Sequence, residues 1–142
     1  MTAYPDTSFL VSVYLTDAHS SEADQLMFEY RASLVLTPLH ELEFSNAVEL
    51  AVFRRAITAT QATKARADFE QDVAHWTLHP LPVNTFARAV TLARRHTARR
   101  GTRSLDILHV AAALTLGAEA FLTFDHRQHR LAKAEGLRAF PK

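Results

Sequence analysis

The sequence predicts an α/β layer fold around a mostly parallel sheet. Two observations lead there. Short runs rich in β-branched and aromatic residues alternate along the chain with longer runs of helical period. No linker, low-complexity tract or internal repeat interrupts the alternation. The 142 residues therefore read as one domain, 1–142. A chain this long buries roughly 68–70% of its unfolded surface, enough for one core.

The elements follow in order. Ala3–Pro5 is a short strand ending at Asp6, and Thr7–Leu15 is an apolar helix with Phe9, Leu10, Val13 and Tyr14. His19–Arg31 is a second helix with Ala23, Leu26, Met27 and Tyr30 on one stripe. Ser33–Thr37 is a strand closed by Pro38, and residues 39–55 are helical. Thr58 and Gln61 have capping-box spacing, which opens a helix to about His75. Thr77–Val83 holds a short strand, and Pro80 and Pro82 place it at an edge. Asn84 caps a helix to about Arg99, and Gly101 stops it. Ser104 caps the next, Leu105–Leu116, which is apolar almost all round and therefore buried. Ala120–Phe124 is the clearest strand. Asp125 caps a helix to about Glu135, and Leu137–Phe140 is a last strand.

Composition excludes several chemistries. There is no cysteine, so a disulfide scaffold, a thiolate zinc site, an iron–sulfur cluster and a cysteine nucleophile are ruled out. The longest run free of Asp, Glu, Lys and Arg, Val73–Ala87, has 15 residues and two prolines, so no transmembrane helix is expected. The first basic residue is Arg31, so a secretory signal with a basic start is not expected, and the protein reads as cytoplasmic.

The net charge of +1 conceals an asymmetry. Residues 1–50 carry eight acids and one base, and residues 51–142 carry seven acids and fifteen bases. No acid lies between Asp72 and Asp106, a stretch that holds Arg88, Arg94, Arg95, Arg99, Arg100 and Arg103. Guanidinium groups pair bidentately with phosphate, so the stripe is a candidate nucleic-acid footprint, with Arg95, Arg99, Arg100 and Arg103 its candidates. A solvated helix face is the plainer reading.

The acids carry the chemistry. Asp6 and Asp125 each follow a strand and precede a helix. Open parallel sheets bind ligands beyond the carboxyl ends of their strands, where strand order reverses. The two carboxylates converge if the first and fourth strands are neighbours there. Either is also explained as a helix cap. Asp106 lies in the first turn of a helix that reads as buried, so its carboxylate needs a partner, a metal or the helix dipole. His109, one turn on along the same face, could order the site, though a satisfied core histidine is the plainer reading. Glu43 and Asn46 share a helix face, and Glu41 points about 160° away from Glu43, so both glutamates cannot face one pocket. Converging carboxylates without cysteine suit a hard cation, Mg²⁺ or Mn²⁺, and metal-assisted phosphodiester hydrolysis.

Four segments resemble the PIN-domain ribonucleases, specifically the VapC-type toxins of type II toxin–antitoxin pairs. They are Asp-Thr-Ser-Phe-Leu-Val at 6–11, Glu-Phe-Ser-Asn-Ala at 43–47, Arg-Ser-Leu-Asp-Ile-Leu-His-Val-Ala-Ala-Ala at 103–113, and Phe-Leu-Thr-Phe-Asp at 121–125. The resemblance implies a three-layer fold with a five-stranded parallel sheet and about seven helices. It implies a catalytic quartet of Asp6, Glu43, Asp106 and Asp125, with metal on Asp6, Asp106 and Asp125. Ser8, Asn46 and Thr123 match supporting positions. It further implies Mg²⁺- or Mn²⁺-dependent cleavage of tRNA, rRNA or mRNA, a homodimer, and a cognate antitoxin laid in an apolar groove formed by the helices at 7–15 and 39–55. Pro5 is unusual for the first strand. His126 and Arg127 stand where some relatives carry a further acid, so one metal is expected and a second is open.

Other readings compete. A two-aspartate phosphatase needs an acid two residues after Asp6, where Ser8 stands, and a phospho-acceptor needs a lysine near a late strand end, where none lies. A non-catalytic PIN-like module that binds RNA or protein, or a housekeeping ribonuclease outside any toxin pair, are the alternatives.

Overall fold

A computed structural model describes residues 1–142, the side chain of Ala32 excepted. The elements are β1 Ala3–Pro5, α1 Thr7–Tyr14, α2 Ser20–Tyr30, α3 Pro38–Phe53, α4 Ala59–Val73, α5 Thr85–Arg100, α6 Ser104–Thr115, β2 Ala120–Leu122, α7 His126–Ala134 and β3 Arg138–Phe140. The seven helices fall where helical period and caps place them.

The sheet is smaller than the expected five strands. Three parallel strands pair in the order β1-β2-β3, with Ala3 opposite Ala120 and Leu122 opposite Phe140. The segments expected as two more strands each contribute a single parallel bridge, Leu34 to Ala3 and Leu78 to Leu36. Val35 N–H donates to the Ala3 carbonyl at 2.8 Å, and His79 N–H to the Leu36 carbonyl at 2.7 Å. Prolines explain the shortening. Pro38 starts α3 two residues after Leu36, while Pro80 and Pro82 have no N–H to continue a ladder. The early segments thus lie on one side of β1 and the late strands on the other. Strand order reverses between β1 and β2, the switch point anticipated from the positions of Asp6 and Asp125.

Side-chain alternation divides the core into two layers. Ala3, Ala120 and Leu122 pack on one face with Phe9, Leu10, Met27, Phe44, Val48 and Phe69 of α1–α4. Tyr4 and Phe121 point to the other face and pack with Leu92, Ile107, Val110 and Leu131 of α5–α7. Helix α6 is buried along Ile107–Ala113, as its uninterrupted apolar run requires.

The caps show why the helices start where they do. Thr58 and Gln61 form the reciprocal capping box, with bonds of 3.1 and 2.8 Å. Asp6 caps α1 and Asp125 caps α7. Two expected caps differ. Asn84 makes no capping bond, and Ser104 is the first residue of α6, preceded by Arg103 in an extended conformation. Gly101 ends α5 at φ 62°, a left-handed conformation costly for any side chain, and so turns the chain directly into α6.

Candidate active site

Asp6 anchors the site. Its N–H donates to the Leu122 carbonyl at 2.9 Å, which ties the end of β1 to the end of β2. The carboxylate is 2% exposed. Its Oδ1 accepts from Ser8 Oγ at 2.7 Å and from Phe9 N–H at 2.9 Å, and its Oδ2 accepts from Thr123 Oγ1. Ser8 Oγ in turn accepts from Phe124 N–H at 3.3 Å. Ser8 and Thr123 therefore clamp Asp6 from two elements. Burial pushes the Asp6 carboxyl up to about 6, and these hydrogen bonds hold it from rising further.

Asp125 lies two residues beyond Thr123, and its N–H donates to Thr123 Oγ1 at 3.0 Å. Oδ1 takes both capping bonds, from Arg127 N–H at 2.9 Å and Gln128 N–H at 3.0 Å. Oδ2 accepts none from a described residue. Asp106, in the first turn of α6, faces the same cavity of about 270 Å³, lined also by Gly101, Arg103, His126 and Arg127. The Gln128 side chain reaches the Asp106 carbonyl at 3.2 Å, which fixes α6 against α7. Burial raises the Asp106 carboxyl, and the charges of Asp125 and Glu43 raise it further, against the opposing pull of Arg103 and His109.

Glu43 approaches from α3. Its carboxylate is bound by His109 Nε2, and His109 Nδ1 meets the Tyr4 hydroxyl at 2.7 Å. His109 is thus a satisfied core residue that also fixes Glu43. Glu41 lines a separate cavity with Arg66, Phe69 and Glu70, on the side of α3 away from this site. Asn46 is exposed and hydrogen-bonded to no described side chain.

Two contributors, Tyr4 and His40, carry no signal that the usual sequence patterns single out, whereas His109 is legible from sequence as a residue that could order the site. Tyr4 and His109 hold Glu43. His40 donates from Nε2 to the Pro5 carbonyl at 2.7 Å and accepts Thr37 N–H on Nδ1 at 2.9 Å, which locks the residue before Asp6. Burial, with the nearby His109, holds His40 down to about 3, so it is neutral. The Thr37-x-x-His40 spacing is a capping box with histidine in place of glutamate, a signal the usual pattern passes over.

The basic stripe divides. Arg95 Nη1 pairs with the buried Glu135 carboxylate at 2.9 Å, beside His96. Arg103 lines the acidic cavity. Arg99 and Arg100 instead meet Arg127 and Arg130 of α7 around an adjoining depression.

Asp106 and Asp125 fit a hard cation in donor type. Mg²⁺ needs only one or two protein carboxylates and takes its remaining ligands from water and phosphate. The half-buried Asp106 carboxylate accepts a hydrogen bond from no described residue, and Asp125 keeps Oδ2 open. Among the described residues no three His, Asp or Glu side chains gather closely enough to enclose an ion. Asp6 accepts three hydrogen bonds over both oxygens, and Glu43 is bound on Oε1 by His109.

Residues 3–134 match the family model of the PIN domain. The chain belongs to the PIN-domain family. Its fold is similar to two crystal structures of low sequence identity. FitAcB from Neisseria gonorrhoeae is 15% identical with a TM-score of 0.71, over 99% of this chain and 97% of that one. PAE2754 from Pyrobaculum aerophilum is 16% identical with a TM-score of 0.64, over 98% of this chain and 83% of that one. No curated protein matches. In this PIN domain the switch point between β1 and β2 thus coincides with the clamped Asp6, and Asp106 and Asp125 open onto one cavity beside it.

Proposed function

We propose that the protein is a metal-dependent endoribonuclease that hydrolyses RNA phosphodiester bonds, the VapC-type toxin of a toxin–antitoxin pair. PIN domains are generally nucleases. The observation that carries the reading to this chain is the shared cavity of Asp106 and Asp125, where one carboxylate without a hydrogen-bond partner is raised by burial and by its neighbour's charge. Asp106 and Asp125 would hold Mg²⁺ or Mn²⁺, which supplies positive charge to the phosphate and lowers the pKa of water.

The chain's own residues do the rest. Asp6 fixes the strand ends and the start of α1 relative to that cavity. Thr123 orients both Asp6 and Asp125. Glu43, held by His109, adds negative charge at the cavity's edge and favours a bound cation. Arg103, which lines the same cavity as Asp106, would meet a non-bridging phosphate oxygen. Asn46, exposed one turn beyond Glu43, is the weakest member of the proposed set.

The substrate class is tRNA, rRNA or mRNA, and the site of action is cytoplasmic. No helix is long and apolar enough to cross a membrane. An antitoxin would cover the exposed Leu42 and Phe53 of α3, and the homodimer would cover Phe86, Val90 and Leu105 between α5 and α6. The α1 side of the anticipated groove is largely core, since Phe9 and Leu10 are fully buried.

A second reading has one observation in its favour. With both Asp6 oxygens accepting hydrogen bonds and no three-ligand cluster among the described residues, a module that binds RNA without cutting it is consistent with the geometry.

Purified protein incubated with total RNA and Mg²⁺ or Mn²⁺ tests the choice. Discrete cleavage lost with EDTA, in Asp6→Asn and in Asp106→Asn is expected. Equal cleavage by both variants would overturn the site, and RNA binding without cleavage would favour the module.

A further inference from the structure

Four arginines from two helices surround one depression of about 190 Å³: Arg99 and Arg100 at the end of α5, Arg127 and Arg130 on α7. No acid lines it. Three arginines elsewhere are paired with carboxylates. Arg66 pairs with Glu49, and Arg88 and Arg95 both pair with Glu135. Arg99 and Arg100 suit the negative end of α5, so the helix dipole accounts for them. The dipole does not account for Arg127, and no ion pair among the described residues holds it. It stands in the first turn of α7, where the dipole disfavours a cation, and it faces two further arginines across the depression. Folding has gathered like charges that repel unless an anion joins them.

Position identifies the anion. Arg127 also lines the cavity of Asp106 and Asp125, so the basic depression and the acidic cavity adjoin through one side chain. A chain of regularly spaced phosphates crossing Arg127 would have one phosphate among guanidiniums and a neighbouring one beside the carboxylates. We propose that Arg99, Arg100, Arg127 and Arg130 form a subsite for the phosphodiester backbone of the RNA strand and lead that strand into the acidic cavity. This rests on the ribonuclease reading for the identity of the strand. The subsite reads backbone charge and carries no base preference, since phosphate contacts position rather than specify. Arg95, held by Glu135, is not part of it.

The test is fluorescence anisotropy of a labelled single-stranded oligoribonucleotide in EDTA, over a series of salt concentrations. EDTA separates binding from cleavage. Arg99→Ala/Arg127→Ala/Arg130→Ala spares Arg100, which packs at 3.4 Å on His96, and removes three exposed side chains. Each lost phosphate contact lowers the slope of log K against log salt by about 0.7 for a single strand, so the triple variant should lose about 2 from the slope and at least about tenfold in affinity at low salt. Arg94→Ala, exposed on α5 but outside the depression, should keep both. Thermal melts of all proteins check folding.

An unchanged slope in the folded triple variant would overturn the subsite. So would displacement of the RNA by poly-glutamate at equal charge concentration, since the site would then recognise carboxylate charge. The two readings fail separately. RNA bound through these arginines by a protein that never cleaves with Mg²⁺ or Mn²⁺ would sink the nuclease and keep the subsite. Cleavage by a wild-type protein whose binding the triple variant shares would do the reverse.

Discussion

The Glu43 carboxylate on α3 is bound by His109 Nε2 on α6, so one side chain joins the two core layers across the sheet end. Burial holds the Tyr4 hydroxyl protonated, and it donates to His109 Nδ1, which leaves the Nε2 proton for Glu43. Both His109 nitrogens are thereby satisfied in a residue that is 1% exposed.

That chain has a measurable coupling. Tyr4→Phe strands His109 Nδ1 and should cost about 1–3 kcal/mol in urea denaturation. His109→Ala removes packing as well and should cost about 2–5 kcal/mol. Because the two share one hydrogen bond, the double variant should fall short of their sum by at least about 0.5 kcal/mol. Strict additivity would show that the bond contributes nothing.

Asp6 and His40 give opposite pH slopes. Asp6 is raised from 3.8 to about 6, so the folded state holds its proton longer, and its contribution falls by about 3 kcal/mol as pH rises from 3.8 to 6. His40 is lowered from 6.5 to about 3, so its contribution is complete above 6.5 and falls by about 1.4 kcal/mol per pH unit below that. Between pH 6 and 5 the two largely cancel. Asp6→Asn keeps a capping residue and removes one slope. Its stability should drop by about 1.4 kcal/mol between pH 6 and 5, while the wild type changes little. Parallel curves for the two proteins would refute the assignment.

Asp106 and Asp125 repel one another without a cation. Asp106→Asn should therefore melt at or above the wild-type temperature in EDTA. Adding Mn²⁺ or Mg²⁺ at about 100 times its dissociation constant should stabilise the wild type by about 2.7 kcal/mol and leave Asp106→Asn unmoved. An equal metal-induced rise in both proteins would place the ion elsewhere.

Glu135 is the anchor between α5 and α7. Burial works to raise its carboxyl, but the bonds from His96 and Arg95 outweigh this and hold it below the ordinary 4.5. A depressed carboxyl contributes stability above its unfolded value and loses it as pH falls through the folded one. Glu135→Ala should cost about 1–3 kcal/mol at pH 7, with the difference from wild type shrinking below pH 4.5. Arg95→Ala should lower stability yet keep RNA affinity, because its guanidinium is already occupied.

Local chemistry determined a good part of this protein from sequence alone. Helical period and caps located the seven helices, because each depends on residues within a few positions. The acids after β1 and β2 were legible for the same reason, since a strand end followed by a cap is a local pattern. Helix geometry alone set Glu41 and Glu43 on opposite faces and the resemblance pointed to Glu43, but its contact with His109, 66 residues away, belongs to the tertiary structure. Only the tertiary structure decided the sheet's extent, because two bridges beside prolines do not make strands. The division of the basic stripe was likewise hidden in it. Arg95 meets Glu135 forty residues on, and Arg99 and Arg100 meet Arg127 and Arg130. Charges cluster through space, and chain order carries that information only where two residues share a turn of helix.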